Sequence, residues 1–552
     1  MPSPPARPPS RPPSRGTVPR HAAPARFPFR VVALVLVLIV GVVVGAKALG
    51  GSDDGKKTDA QGTTPGTPGA STSGGNGSPT GDPTTPGDTG PDGTPSPTET
   101  EDDPSTPGPI NTKFPGLVTF RGNATRTYYG EGPLPEDPEI LWQYPQSGGL
   151  CSQSDGGQGL KTWCGTGWTG QPNVIVHDNG KIEIREGAYD AHYHFWNGKT
   201  GQVMHPDLVT GDLAKGSATS DADGYPLYYA GSRDNEFRIV ALDRKQPTEL
   251  WSVNADTSVS NPVWNNDWDG AALQLGDYLL EGGENSWFYV IKLNRSYDDQ
   301  GLVQVDPKIV MLVPGFTQEF LNQLGDDSVS IENSVAFSGG VAYFGNSGGL
   351  VQGWDISDIL AGGTHYEKVF EYWVGDETDA SIVIDQDGNL YVGRHYSFNI
   401  PNRSRARDEE VGGSLIKLDP GRKNPKVWTV EMGGTGPDGG LLGTPALYKG
   451  VVWAPGTDGH LLAVDAKSGK VLSDTFVSPP LNGSPVTIDD QLVIGDCDGD
   501  LHNYDISNPK KPRELWTVHL EGCVESTPAV YKGMLWVGTR GGKFYGIGDP
   551  KN

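Results

Sequence analysis

From Pro172 to Ile547 the chain is cut into short apolar runs of four to six residues, each bounded by Gly, Asp, Asn or Pro. Runs this short with turn formers at both ends predict β-strands, and no apolar repeat at helical spacing competes with them over a useful length. The strands come in a recurring unit. A small residue with Pro or Ala precedes one run, a Gly- or Asp-containing turn leads to a second, and a further turn leads to an apolar strand ending in Asp. The unit is plainest from Gly443 to Lys470, with Thr444-Pro445 at its head, turns at Gly450 and Gly459, and Leu461 to Asp465 as its third strand. It returns at Gly483-Ser484-Pro485 and Ser526-Thr527-Pro528, and more divergent copies open near Gln171, Gly216, Asn261, Asn333 and Ala380.

Each unit holds about four strands, and neighbouring units start about 40–47 residues apart except where two insertions stretch the frame. This is the period of a β-propeller blade. Trp251, Trp373, Trp428 and Trp516 close four of the units. The last unit stops after three strands at Ile547, whereas Glu139 to Tyr144 is a lone strand carrying the missing Trp142. Pairing the two in one blade closes the ring and removes two exposed sheet edges. The expected fold is all-β: an eight-bladed propeller over 113–552 whose N-terminal strand completes the last blade.

The first strand of every blade lines the central channel, expected to hold water, so residues at its start meet at one mouth of the axis whatever their separation in sequence. Reading that position through the units gives Gln171, Ser217, Asn261, Glu332 with Asn333, Asp379, Thr444, Ser484 with Asn482, and Glu525. The candidate ligand-binding residues are Gln171, Asn261, Glu332, Asn333, Asp379, Thr444, Asn482 and Glu525. Glu332, Asp379 and Glu525 are expected to converge on a hard cation or hydroxyl-rich ligand through oxygen atoms.

Ahead of the repeats, Val31 to Ala46 is an unbroken apolar and Gly run between Arg30 and Lys47, about 24 Å long as a helix. With its flanks, over 31–49, it predicts one transmembrane helix. Ala46-Lys47-Ala48 also has the form of a signal-peptide cleavage site, and either reading exports the remainder of the chain. Six arginines before the span and mostly acids after it put the N-terminus in the cytoplasm. Residues 1–30 are Pro/Arg/Ser-rich, and 50–112 are Gly/Thr/Pro/Ser/Asp-rich without an aromatic residue. Neither segment buries enough apolar surface to offset its ordering entropy, so both are expected to be disordered, the second as a linker.

Charge sharpens this division. Residues 1–49 carry seven cations and no acid, 50–112 carry ten acids and two lysines, and the rest of the chain holds almost all of the net charge of −25. An ectodomain this acidic repels phosphate backbones, which argues against nucleic-acid partners. The four cysteines, Cys151, Cys164, Cys497 and Cys523, suit an oxidising exterior and allow three pairings. Sequence-local pairing, Cys151 with Cys164 and Cys497 with Cys523, is expected.

The frame Thr444-Pro445, Gly456-Thr457, Asp458-Gly459, Leu461, Ala463, Asp465 and Ser468-Gly469-Lys470 resembles the repeat of pyrroloquinoline-quinone-type (PQQ-like) propellers. Val118 to Gly130 is similar to a lead-in segment of such propellers in exported actinobacterial proteins. The resemblance implies the fold strongly. Its members include quinoprotein dehydrogenases, envelope-assembly scaffolds and sensor domains. Quinoprotein dehydrogenases of this fold place the quinone at the axis with Ca²⁺, a catalytic Asp, Glu/Asn ligands and, in many, a disulfide between adjacent cysteines. No adjacent cysteine pair occurs here.

Other clusters read as structure. Asp496-Cys497-Asp498-Gly499-Asp500 resembles a calcium loop, but an EF-hand register puts Leu501 where Gly is needed and Ser507 where Glu is needed. Asp498-Gly499 aligns with the turn Asp458-Gly459 instead. Arg403, Arg405 and Arg407 ahead of Asp408, Glu409 and Glu410 are expected to form a solvated, self-neutralising loop. Asp190, His192 and His194 alternate on a strand and are expected at its exposed face. Asn265 to Gly270 and Glu281 to Trp287 lie in one expanded unit, and their oxygen groups and Trp faces suit sugar or cation recognition. The favoured function is a non-enzymatic, membrane-tethered, monomeric extracytoplasmic propeller. It is expected to bind an envelope protein, wall polymer or small ligand, with no cofactor of its own. The alternative is a PQQ-dependent oxidoreductase, with PQQ and Ca²⁺.

Overall fold

The computed structural model describes residues 116–550, apart from 156–158, 168–169, 398–399 and 435–438. The tail, span and linker expected over 1–112 lie outside these residues. No helix among the described residues is long and apolar enough to cross a membrane.

Eight antiparallel sheets succeed one another around the ring. Blade 1 is built on Asn173–Val176, Ile182–Ala188, His192–Asn197 and Leu208–Val209, and blade 2 on Thr219–Ser220, Leu227–Gly231, Glu236–Ala241 and Thr248–Asn254. Blade 3 starts at Leu273–Leu275, blade 4 at Ala336–Ser338, blade 5 at Val383–Ile384, blade 6 at Ala446–Tyr448, blade 7 at Val486–Ile488 and blade 8 at Ala529–Tyr531. The middle strands are buried on both faces because each blade stacks on its neighbours, so Leu461 to Val464 read as a continuous apolar run. Outer strands such as Arg513–His519 face solvent and are polar. A register shift between third and outer strands recurs in blades 2 to 8, a bulge that adds the twist a closed ring needs.

Blade 8 closes as expected: Glu139–Tyr144 pairs antiparallel with Lys543–Gly548, Trp142 opposite Gly546. Trp142 is buried, and its Nε1 donates to the Gly198 carbonyl of blade 1 at 2.8 Å. A Cβ on Gly201 would stand 2.6 Å from the Trp142 ring, and one on Gly469 2.7 Å from Trp428. Both glycines have positive φ. The Ser/Thr-Gly of the repeat is therefore the seat on which the tryptophan of the preceding blade rests.

The channel is not the expected watered tube. Residues 116–131 run through it and bond to blade after blade. Gly116–Leu117 pairs with the first strand of blade 1, the Val118 carbonyl accepts from Ser220 N at 2.8 Å, and Thr119 Oγ1 donates to Ala272 O at 3.1 Å. The Ala124 and Thr125 carbonyls accept from Phe337 N (2.7 Å) and Ile384 N (3.1 Å) of blades 4 and 5. Gly130–Glu131 lies parallel to the first strand of blade 8. Two fully buried arginines fix this plug. Arg121 Nη2 donates to Thr444 O at 2.7 Å. Arg126 donates to Val335 O (2.6 Å), Phe120 O (2.7 Å) and Ala271 O (3.1 Å). Burial weighs against both charges, and these carbonyl oxygens offset that cost.

The two expected disulfides, Cys151–Cys164 and Cys497–Cys523, are formed. The first joins directly paired residues of the hairpin Cys151–Asp155/Leu160–Cys164. The second ties a turn of blade 7 to the segment leading into blade 8. Two expectations for charged segments fail. Arg403 is not solvated: its side chain is fully buried, bidentate to Asp326 at 3.0 Å and 2.8 Å from Asp376, beside the short helix Ala406–Val411. His194 is buried as well, with Nε2 3.2 Å from Asp190 and Nδ1 3.1 Å from Asp207. Burial opposes its charge, yet these two carboxylates push its pKa up to about 9.

A candidate acidic site at the axial mouth

The residues proposed for the mouth fall into two layers, set by their distance from the first strand. Two residues before each first strand stands a girdle. Its members include Gln171, Ser217, Ser334, Ser381, Thr444 and Ser484, and backbone N–H groups donate to the hydroxyl of the next blade. Gln171 N donates to Ser217 Oγ at 2.7 Å, Ser334 N to Ser381 Oγ, Ser381 N to Thr444 Oγ1, and Thr444 N to Ser484 Oγ, the last three at 2.9 Å. Gln171 also accepts from Arg121 N at 2.7 Å and donates to Pro528 O at 3.0 Å. Gln171 and Thr444 thus clasp neighbouring blades and the plug.

Four residues before the first strand lies a second layer, with Lys215, Asp269, Glu332, Asp379, Asn482 and Glu525. Asn261 does not belong to either layer. Blade 3 begins at Leu273, not near Pro262, so Asp269 holds the position assigned to Asn261, which is exposed. The expanded unit displaces the register of the repeat. Asn333 sits one residue inward, buried, its Nδ2 donating to Gly345 O (2.9 Å) and Thr378 O (2.7 Å). It brackets blades 4 and 5.

The three carboxylates do not meet at one point. Glu525 is held by Arg540 at 2.7 Å, and Arg540 lies over the ring of Tyr189. Glu332 and Asp379 do come together. Ser347 Oγ donates within 3.1 Å of Asp379 Oδ1 and 3.3 Å of Glu332 Oε1, which also accepts from Ser330 at 2.6 Å. Burial pushes the Asp379 carboxyl up to about 7, aided by repulsion from Glu377 and opposed by His395. Burial raises Glu332 well above the usual range, and Asp379, Glu284 and Asp269 raise it further.

The sequence singles out Asn265 to Gly270 and Glu281 to Trp287 for cation or sugar recognition but does not place them at the mouth, and it leaves out Lys215. Lys215 Nζ lies 2.7 Å from Asp269, 2.8 Å from Glu284 and 3.0 Å from Asp267, all buried. Burial opposes the Lys215 charge, but the three carboxylates outweigh it and raise its pKa. Asp267, Asp269 and Glu284 come from the two Asn/Asp/Glu/Gly clusters of the expanded unit. Counting four residues back from the true start of blade 3 would have found Asp269.

The fit of a quinone can be tested on these residues. PQQ is a tricarboxylate, so its site needs cations free to meet carboxyl groups. Among the described residues of this mouth, Lys215 is committed to three carboxylates, Arg403 to Asp326 and Asp376, Arg540 to Glu525, and Arg121 and Arg126 to backbone carbonyls. The carboxyls that remain crowd one another toward the neutral form. The residues present do not fit PQQ.

Fold and mouth together define an eight-bladed β-propeller with a plugged axis and an acidic mouth. Residues 457–549 match the family model described as outer membrane protein assembly factor BamB. Among solved structures, the chain is similar to a europium-containing methanol dehydrogenase (TM-score 0.51, 12% identity, 79% of this chain and 98% of that one). It also matches BamB from Moraxella catarrhalis (0.44, 14%, 75% and 99%) and the quinohemoprotein alcohol dehydrogenase of Comamonas testosteroni (0.49, 13%, 79% and 80%). Identities this low speak to the fold alone. No curated protein sequence matches the chain.

Proposed function

We propose that this protein is a non-enzymatic binding module of the cell envelope. The apolar run Val31 to Ala46 holds it in the membrane as a single pass with the N-terminus cytoplasmic and the propeller outside. At its axial mouth it takes a cationic or hydroxyl-rich ligand, on an envelope protein, a wall polymer or free. The observation that carries the reading is the gathering of Glu332, Asp379 and Asp269 around a channel that the chain itself has filled. A carboxyl raised by burial and like charge gains most when a cation or a hydroxyl donor approaches it. The rival reading, a quinone-dependent oxidoreductase, needs cations that among the described residues of the mouth are already paired.

The test uses full-length protein in detergent. Calcium, other divalent ions and wall saccharides are titrated while the melting temperature is monitored, with wild type beside the Glu332→Gln/Asp379→Asn double variant. A rise in wild type that the double variant loses is expected. No rise with any of these ligands, or a stoichiometric quinone released on denaturing protein from its own cells, overturns the reading. Protease added to intact cells tests the orientation: the propeller should be cleaved from the membrane, and resistance until lysis refutes it.

A further inference from the structure

Blade 7 carries an arrangement that neither the ring nor the mouth uses. Its third strand, Asp500–Asp505, comes directly after the turn begun by Asp496. Side chains two apart on a strand share a face, so Asp500 and His502 point the same way. The outer strand places His519 directly opposite Asp500 and Thr517 opposite His502. Donor atoms of Asp496, Asp500 and His502 all lie within 4.8 Å of one another, and His519 Nδ1 is 2.8 Å from Asp500 Oδ1.

The two ring nitrogens of His502 have different surroundings. Nδ1 is 2.7 Å from Glu514 Oε1, and Thr517 Oγ1 donates to that same oxygen at 2.9 Å. Nε2 points the other way, 3.2 Å from Asp496 Oδ2. Asp496 is divided likewise: Oδ1 accepts from the backbone N–H of Asp498 (3.0 Å) and Asp500 (2.9 Å), and Oδ2 is left facing the histidine. An imidazole oriented by a carboxylate on one nitrogen, with its other nitrogen turned toward carboxylate oxygens, is the arrangement by which proteins present histidine to a metal.

The neighbouring blade supplies an internal control. In blade 6 the equivalent positions are Gly456 for Asp496, His460 for Asp500, Leu462 for His502 and Phe476 for His519. That blade makes the same four-stranded sheet and the same turn, with Gly459 at φ 90° matching Gly499 at φ 95°. The fold therefore does not call for two acids and two histidines here. The Cys497–Cys523 bridge beside the cluster limits how far Asp496 can move from the strand.

We propose that Asp496, Asp500 and His502, with His519 closing from the exposed side, form a site for a divalent transition-metal ion of the zinc class on the rim of blade 7. Imidazole with carboxylate donors suits zinc, cobalt, nickel or copper, whereas calcium and magnesium prefer oxygen donors alone. Glu514 is a positioning residue, holding the His502 tautomer that turns Nε2 toward the ion. Coordination through Nε2 leaves Nδ1–H donating to Glu514 Oε1.

The test is calorimetric titration of tag-free, chelator-treated full-length protein in detergent with Zn²⁺ at neutral pH, with Co²⁺ absorption as a second readout. One ion per chain at this site is expected, with calcium and magnesium failing to compete. His502→Gln should weaken the affinity at least tenfold, His519→Gln by less, and Glu514→Gln by an amount between the two. His395→Gln, at the axial mouth, should leave it unchanged. Asp496→Asn is the least clean variant because Asp496 holds the turn, so His502→Gln decides. Zinc affinity untouched by His502→Gln, affinity lost in His395→Gln instead, or no binding at 100 micromolar Zn²⁺ each overturns the proposal.

Discussion

Blades 6 and 7 and blades 3 to 5 have the same four-stranded sheets, yet they treat charge in opposite ways. In blades 6 and 7 the connections are short and charged pairs are mostly exposed, as with Lys449 and Asp490, both about half exposed, the buried Asp496 beside His502 being the exception. In blades 3 to 5 the connections lengthen into the hairpin Ser296–Tyr297/Val303–Gln304, the helix Gln318–Leu324 and the Arg403 segment. This part of the ring buries charge: Asp267, Asp269 and Glu284 of blade 3 around Lys215 from the lead-in of blade 2, and Arg403 between Asp326 and Asp376. The repeat frame makes the ring, and the mouth acquires its chemistry where that frame is interrupted.

The largest effect should come from the seam that both regions depend on. Deleting 139–145 removes the outer strand of blade 8 and the Trp142 side chain packed on Gly201 and Gly546. A loss of several kcal/mol is expected from the exposed edge and the lost tryptophan, read as a lower melting temperature. An unchanged melt would mean that the ring does not rely on this closure.

Arg403→Ala comes next. It leaves Asp326 without its guanidinium partner and the fully buried Asp376 with Arg405 alone, a loss of about 3 kcal/mol, measured by urea unfolding. A loss under about 1 kcal/mol would erase the distinction between the two regions.

Asp379→Asn separates them by pH. A carboxyl whose folded pKa is raised contributes stability that is fully present below its ordinary value of 3.8 and is lost as pH rises through about 7. Wild type should therefore lose about 2 kcal/mol more than Asp379→Asn between pH 5 and pH 8. Parallel pH profiles would show that Asp379 is not crowded. Lys449→Ala in the regular region should change stability by less than about 1 kcal/mol at any pH in that range. A larger cost would mean that rim pairs matter there too.

How far the site could be read from the sequence obeys the same division. Glu332, Asp379, Asn482 and Glu525 could be placed at the mouth because their blades keep the spacing. Asn261 was misplaced because the expanded unit sets the first strand of blade 3 twelve positions beyond Asn261. Lys215 was missed because the residue noted in blade 2 was Ser217, in the girdle layer. Arg403 looks like part of a solvated charge run in one dimension, and only its partners at Asp326 and Asp376 show why a charged group is buried.

The sequence by itself determined the ring: blade count, order and the shared eighth blade. All of these rest on local periodicity and short-range spacing, which a repeat writes out many times. Among the three disulfide pairings the sequence allowed, the structure forms the sequence-local one. The tertiary structure decided what fills the ring. Whether the channel holds water or residues 116–131, and which carboxylates crowd together, depends on contacts between residues hundreds of positions apart, such as Arg121 with Thr444. Such contacts leave no period in the chain. They are set by which charges find enough partners to remain buried.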